Sequence, residues 1–156
     1  MGAIRCGVDI AADPGSVFGR LTDFPNAADH VSAVDSVEML TDGPVGVGTR
    51  FTETRTMFGT RASETMEVVA FEPGRSCTLT AESCGCVYET VLSVAPTGAG
   101  SRVELVTRAT PRTLTAGIAR VLTGPLVAGA MRKAMRADLD ELKAGLERAG
   151  DAPQPA

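Results

Sequence analysis

Residues 50–109 constrain this chain more than any other part, because they alternate between polar and apolar side chains and are punctuated by four turns. Phe58-Gly59, Glu72-Pro73-Gly74-Arg75, Cys84-Gly85 and the Gly98/Gly100 region each separate two alternating runs. Glycine reaches the positive φ that tight hairpins need, and Pro-Gly is a turn signal. The pattern predicts five antiparallel strands. Pairing them across these turns puts Val68, Leu79, Thr90 and Thr107 in one cross-strand row. The next row holds Phe51, Met66, Ala81, Tyr88 and Ala109. On the other side of the first lie Ala70, Cys77, Leu92 and Leu105, then Val94 opposite Val103. Paired residues share a face, so all of these point the same way.

That face is apolar in every strand, and the opposite one is wet. Thr52, Thr54, Thr56, Ser63, Thr65, Glu67, Thr78, Thr80 and Glu82 lie on it, with Glu89 facing Arg108. A one-residue slip at any turn would invert a strand, so agreement among four independent turns argues for a single register.

The flanks are different. Ile4, Cys6, Val8 and Ile10 alternate with polar neighbours and predict a first strand. Asp13-Pro14 then supplies an N-cap and a first helical proline for a short helix carrying Val17, Phe18 and Leu21. A second helical turn is expected over 25–30, and a strand over 34–41. After Pro111 the apolar period changes from two to 3.6. Leu114, Ile118, Val121 and Leu122 form one stripe, and Ala128, Met131, Met135, Leu139, Leu142 and Leu146 another. Gly124-Pro125 between them predicts a break or kink, since an interior proline removes one backbone bond and clashes with the preceding turn. A long helix is expected over about 125–148, lying in the cup of the sheet, with a disordered tail over 150–156.

At 156 residues and a net charge of −4 the chain reads as one domain, residues 1–149. Its mild acidity argues against nucleic acid and anionic membranes as partners. No apolar run approaches the ~20 residues of a membrane span, and no signal pattern opens the chain, so a cytoplasmic protein is expected. The four cysteines give no disulfide or zinc spacing, so no metal or cofactor is expected.

Strand, two short helices, six antiparallel strands and a long helix follow in that order. With Leu21-Thr22-Asp23-Phe24-Pro25-Asn26, Gly46-Val47-Gly48-Thr49-Arg50-Phe51, Phe71-Glu72-Pro73-Gly74 and the 138–147 end of the helix, the chain resembles the START/Bet v1-like (SRPBCC) superfamily. The likeness is to its bacterial polyketide cyclase/dehydratase and lipid-transport members. The resemblance implies an α+β helix-grip fold, a seven-stranded antiparallel sheet curved around the C-terminal helix. It also implies a cavity between them that takes a hydrophobic ligand. Fold alone does not choose among carriers, cyclases and co-chaperones.

Phe51, Met66, Val68, Leu79, Tyr88, Leu92, Leu105, Met131 and Met135 are the expected cavity lining. Thr90 and Thr107 are placed to bond each other or a ligand. Polar groups on the same inward face need a reason. Glu53 and Glu64 are expected to oppose each other beside Ser83 and Cys86, with Arg55 two residues on. Their β-carbons would be roughly 5 Å apart, and two charges at that separation repel by about 3 kcal/mol at an effective dielectric near 20. One carboxyl would then hold its proton to higher pH, which suits acid/base work. Arg55 neutralising one of them, or a plain polar mouth, accounts for the same residues.

Tyr88 either packs with a satisfied hydroxyl or bonds a ligand carbonyl. His30 is a capping or surface residue unless its near-neutral pKa is used. Met57 and Phe58 form either a lid edge or a tip covered by a loop. Three functions follow in order: a carrier or binding protein; a cyclase or dehydratase using Glu53, Glu64, Arg55 and Tyr88; and an interaction module. A monomer or weak homodimer is expected.

Overall fold

The hairpin tips explain why the sheet closes in the expected register. Phe58 and Gly59 take φ of 52° and 76°, and Cys84 and Gly85 take 51° and 73°. Two consecutive positive φ values match the right-handed twist of the flanking strands, so each pair makes a two-residue turn without splaying them. The computed structural model describes residues 2–151, and within them the side chains of all but 118–123 and 151.

The elements are β1 (Ile4–Ile10), α1 (Pro14–Leu21), a 3-10 turn (Phe24–Asn26), α2 (Ala27–His30) and β2 (Val34–Met39). There follow β3 (Arg50–Met57), β4 (Thr60–Glu72), β5 (Ser76–Ser83), β6 (Cys86–Thr97), β7 (Gly100–Pro111) and α3 (Leu114–Asp151). The seven antiparallel strands are ordered β1-β7-β6-β5-β4-β3-β2. Non-local closure therefore comes only from β1 against β7, where Gly100 is indispensable. A β-carbon on Gly100 would stand 2.3 Å from the Ile10 carbonyl oxygen.

Three of the four expected pairings hold throughout, with Phe51 opposite Met66, Leu79 opposite Thr90 and Tyr88 opposite Ala109. The fourth shifts. A bulge between Val68 and Ala70 sets Phe71, not Ala70, opposite Cys77. The extra residue turns Ala70 outward, while the half-buried Phe71 meets Phe18 with ring centroids 5.5 Å apart.

Asp13 caps α1 as expected, its Oδ2 accepting from the Ser16 amide at 2.9 Å. Beneath α1 and α3 the core gathers Val8, Ile10, Val17, Phe18, Phe51, Val68, Cys77, Val103 and Leu139. Phe24 stacks on Phe51 with centroids 4.6 Å apart.

Of the break or kink expected at Gly124-Pro125, the break does not occur, since α3 runs continuously with Pro125 inside it. Leu114 does not belong to a buried stripe, being 89% exposed. The side chains of Ile118, Val121 and Leu122 lie outside the description. The helix includes Gly150 and Asp151, and the rest of the expected tail, 152–156, lies outside the described residues. Beyond the sheet's other end, β2 stops at Met39, and Leu40 is 46% exposed.

Candidate functional site

The concave face grades from closed to open. At the β1 end, Val94, Val103, Cys77, Leu92 and Leu105 are buried. In the row of Val68, Leu79, Thr90 and Thr107 only Thr90 is half-buried, and its hydroxyl lies 2.9 Å from that of Thr107. The two threonines thus satisfy each other, one of the two outcomes the sequence leaves open. In the next row Phe51 is closed off at 1% exposure beneath Phe24. Its neighbours Met66, Ala81, Tyr88 and Ala109 are half-buried. From the helix, Met131 and Met135 are half-buried as well, and Met135 packs at the edge of the core.

Past this row come the polar side chains. Glu53 lies opposite Glu64, as the turn at Phe58-Gly59 implies. The ladder between β4 and β5 begins at Met66 opposite Ala81, so Glu64 and Ser83 stand beyond its paired part and the expected row is interrupted there. Cys86 is buried opposite Ser83.

Arg55 organises this end. Its Nε donates to Glu53 Oε1 at 2.8 Å and its Nη1 to Asp138 Oδ2 at 3.0 Å, joining β3 to α3. All three side chains are largely withdrawn from water, at 24%, 13% and 19% exposure for Arg55, Glu53 and Asp138. Burial opposes the Arg55 charge, but the carboxylates of Glu53 and Asp138 outweigh it and shift its pKa upward. Asp138 is also shifted upward, first by burial, with Glu53 and Glu141 adding to it against the pull of Arg55. Ordinarily a carboxylate bonded to arginine is shifted down. Here one cation is shared between two carboxylates with a third nearby, so burial and residual negative charge prevail at Asp138.

Sequence reasoning anticipated the pair of glutamates and the arginine but missed Asp138. A signal was present. Asp138 falls three residues after Met135 and four before Leu142, at the margin of the inward stripe, where a carboxylate faces the sheet rather than water. Phe24 and Phe71, which cap Phe51 and Phe18, were missed for want of a partner in sequence.

The remaining candidates are dispersed. His30 Nε2 lies 3.2 Å from Asp23 Oδ2, a side-chain contact across the α1–α2 loop. Phe58 is 68% exposed at its hairpin tip, and Met57 touches the Arg55 guanidinium with its sulfur at 3.9 Å. Cys6, Cys77, Cys84 and Cys86 are free thiols, and burial pushes Cys77 up to about 11. Among the described residues no His, Cys, Asp or Glu cluster is arranged to hold a metal ion, and no helix is long and apolar enough to cross a membrane.

Residues 1–147 match the family described as polyketide cyclase / dehydrase and lipid transport. The chain belongs to that family. Among solved structures, TTHA0849 from Thermus thermophilus is similar at 21% identity and a TM-score of 0.73, over 96% of this chain and 99% of that one. The di-domain ARO/CYC protein StfQ of the steffimycin biosynthetic pathway gives 14% identity and the same TM-score of 0.73. There the match covers 97% of this chain and 53% of StfQ. Ara h 8.0201 gives 12% and 0.60, over 84% of this chain and 95% of its own. At these identities the likenesses establish the fold, which is Bet v1-like. No curated protein matches the chain.

Proposed function

We propose that this family member binds a small hydrophobic molecule, polyketide-like or lipid, between its sheet and α3, as a carrier or binding protein. The observation that carries the reading is the row of Met66, Ala81, Tyr88 and Ala109. These side chains lie on the concave face and are only half-buried, whereas the rows toward β1 are closed. An inward face that is apolar and incompletely filled favours an apolar guest. The polar groups beside it are mostly engaged with one another, Arg55 with Glu53 and Asp138, and Thr90 with Thr107. That leaves anchoring rather than chemistry as their simplest use. Of the other expected lining residues, Phe51, Val68, Leu79, Leu92, Leu105 and Thr107 are buried behind this row, and Met131 and Met135 are half-buried on α3. On this reading the protein is a cytoplasmic monomer or weak homodimer that does not bind nucleic acid, as its net charge of −4 supports.

A cyclase or dehydratase is the second reading, favoured by two carboxyls. Glu64 is half-buried opposite Glu53 and forms no ion pair among the described residues, and Asp138 holds its proton more tightly than usual. Glu64 or Asp138 would then be the acid/base, with Glu53, Arg55 and Tyr88 around the substrate.

Paired binding and turnover assays with polyketide-like and lipid ligands separate the two. For a carrier, Met66→Trp weakens affinity by about ten-fold or more, Tyr88→Phe weakens it less, and Glu53→Gln or Glu64→Gln changes it by a few-fold. Turnover that vanishes in Glu64→Gln while affinity is retained assigns the site to catalysis instead. A protein that takes up none of these ligands, with Met66→Trp as stable as the parent, sinks both.

A further inference from the structure

We propose that the outward side of the N-terminal half of α3 docks on an anionic lipid bilayer. This concerns the outside of the helix and stands whatever the concave face holds. Leu126 projects from the outward side at 80% exposure, with Leu114 at 89% and the half-covered Val127 at 49% each about a third of a turn to one side of it. Residues 112–137 also contain five of the chain's 15 lysines and arginines, Arg112, Arg120, Arg132, Lys133 and Arg136, and none of its 19 acidic residues. A net charge of −4 therefore averages over a basic helical segment in an otherwise acidic protein.

Not every cation there is available. Arg112 pairs with Glu82 at 3.2 Å and Arg136 with Asp140 at 3.4 Å. Arg132 and Lys133 are exposed and form no ion pair among the described residues. Lys133 is seven residues from Leu126, so the two share one side of the helix about 10 Å apart. Between them on that side lie Gly129 and Ala130, which have no side-chain hydrogen-bonding group to offer a protein partner but let a helix lie flush on a fluid surface. Aliphatic groups flanked by unpaired cations are the features that hold a helix in the plane of an anionic interface. Charge complementarity thus selects anionic lipid.

Vesicle co-sedimentation of the full chain tests this, using phosphatidylcholine alone and phosphatidylcholine mixed with phosphatidylglycerol. The mixed vesicles should retain the protein, added salt should release it, and phosphatidylcholine alone should not hold it. Arg132→Gln and Lys133→Gln should each lower partitioning by about five-fold, since each cation near such a surface contributes roughly that much. Leu126→Glu should abolish it, with an unchanged circular dichroism melt showing that the fold is intact. Should Leu126→Glu unfold the chain, the two glutamine variants decide alone. Equal retention on both vesicle types, retention on neither, indifference to the glutamine variants, or binding only to acidic soluble proteins would each overturn the proposal.

Discussion

The two halves of α3 are one continuous helix held in opposite ways. From Arg136 onward it is stitched to the rest of the molecule. Arg136 Nη1 donates to the Gly7 carbonyl at 3.3 Å, and Asp138 accepts from Arg55. Glu141 accepts from the Ser32 amide at 2.9 Å, Lys143 Nζ donates to the Asp9 carbonyl at 2.7 Å, and Glu147 accepts from the Ala11 amide at 3.0 Å. Beneath these bonds Leu139, Leu142 and Leu146 are buried. The first half is entered by an Arg112 amide bonded to the Gly85 carbonyl and a Thr113 side chain accepting from the Ala116 amide, and carries the exposed Leu114 and Leu126. An interior proline costs a helix roughly 3 kcal/mol, and Pro125 sits in the half with fewer bonds to the rest of the molecule among the described residues. Grip belongs to the C-terminal half, which leaves the other half free for contacts of its own.

Leu139→Ala should break that contrast with the largest effect. Leu139 has no exposed surface, and deleting a fully buried leucine side chain costs about 2–5 kcal/mol through lost transfer energy and the cavity left behind. Urea unfolding with an unchanged m-value should register it. A loss below about 1 kcal/mol would mean that the C-terminal half is not gripped by the core.

The polar stitch is next. Arg55→Met leaves Glu53 and Asp138 without their shared cation. Removing one partner of a buried pair costs about 3–5 kcal/mol, and the partial exposure here reduces that to roughly 2 kcal/mol. Asp138→Asn should cost less, because the amide oxygen still accepts from Arg55. It also carries a pH signature. A carboxyl whose folded pKa lies above its unfolded value binds its proton more tightly when folded. Its contribution is complete below the ordinary Asp value near 4 and is lost as pH rises through the folded value. Asp138→Asn should therefore gain stability relative to the parent as pH rises from below the ordinary Asp value through the raised folded one. A difference that moves the other way would place Asp138 among ordinary ion-paired carboxylates.

Much of this arrangement was legible in the chain itself, for a physical reason. Strand register has a period of two, so each of the turns at Phe58-Gly59, Cys84-Gly85 and Gly98 tests its neighbours, and errors show at once as polar residues inside. The bulge at Val69 escaped because Val68, Val69, Ala70 and Phe71 are all apolar, and an extra residue in an unalternating run leaves no mark. Asp138 escaped for the converse reason. A single acidic residue on a long helix reads as solvated, and its partner Arg55 lies 83 positions away. The uninterrupted helix through Pro125 was unexpected because proline's local cost argues for an end, whereas the stitched half beyond it supplies tertiary hold that propensity does not contain.

The smallest effect is the sharpest test of the comparison. Leu126→Ala is the same chemical change as Leu139→Ala, made thirteen residues earlier on the same helix where the side chain is 80% exposed. Little apolar surface is returned to water, no cavity can form, and alanine is the better helix former by a few tenths of a kcal/mol. Stability should therefore stay within about 0.5 kcal/mol of the parent. A loss of about 2 kcal/mol or more, the cost of truncating a buried leucine, would mean that Leu126 is packed in solution. The first half of α3 would then be gripped like the second, and the bilayer surface would lose its apolar component. An unchanged melt paired with weaker retention on phosphatidylglycerol vesicles is the result that keeps both halves as described, because stability and docking then separate at a single side chain.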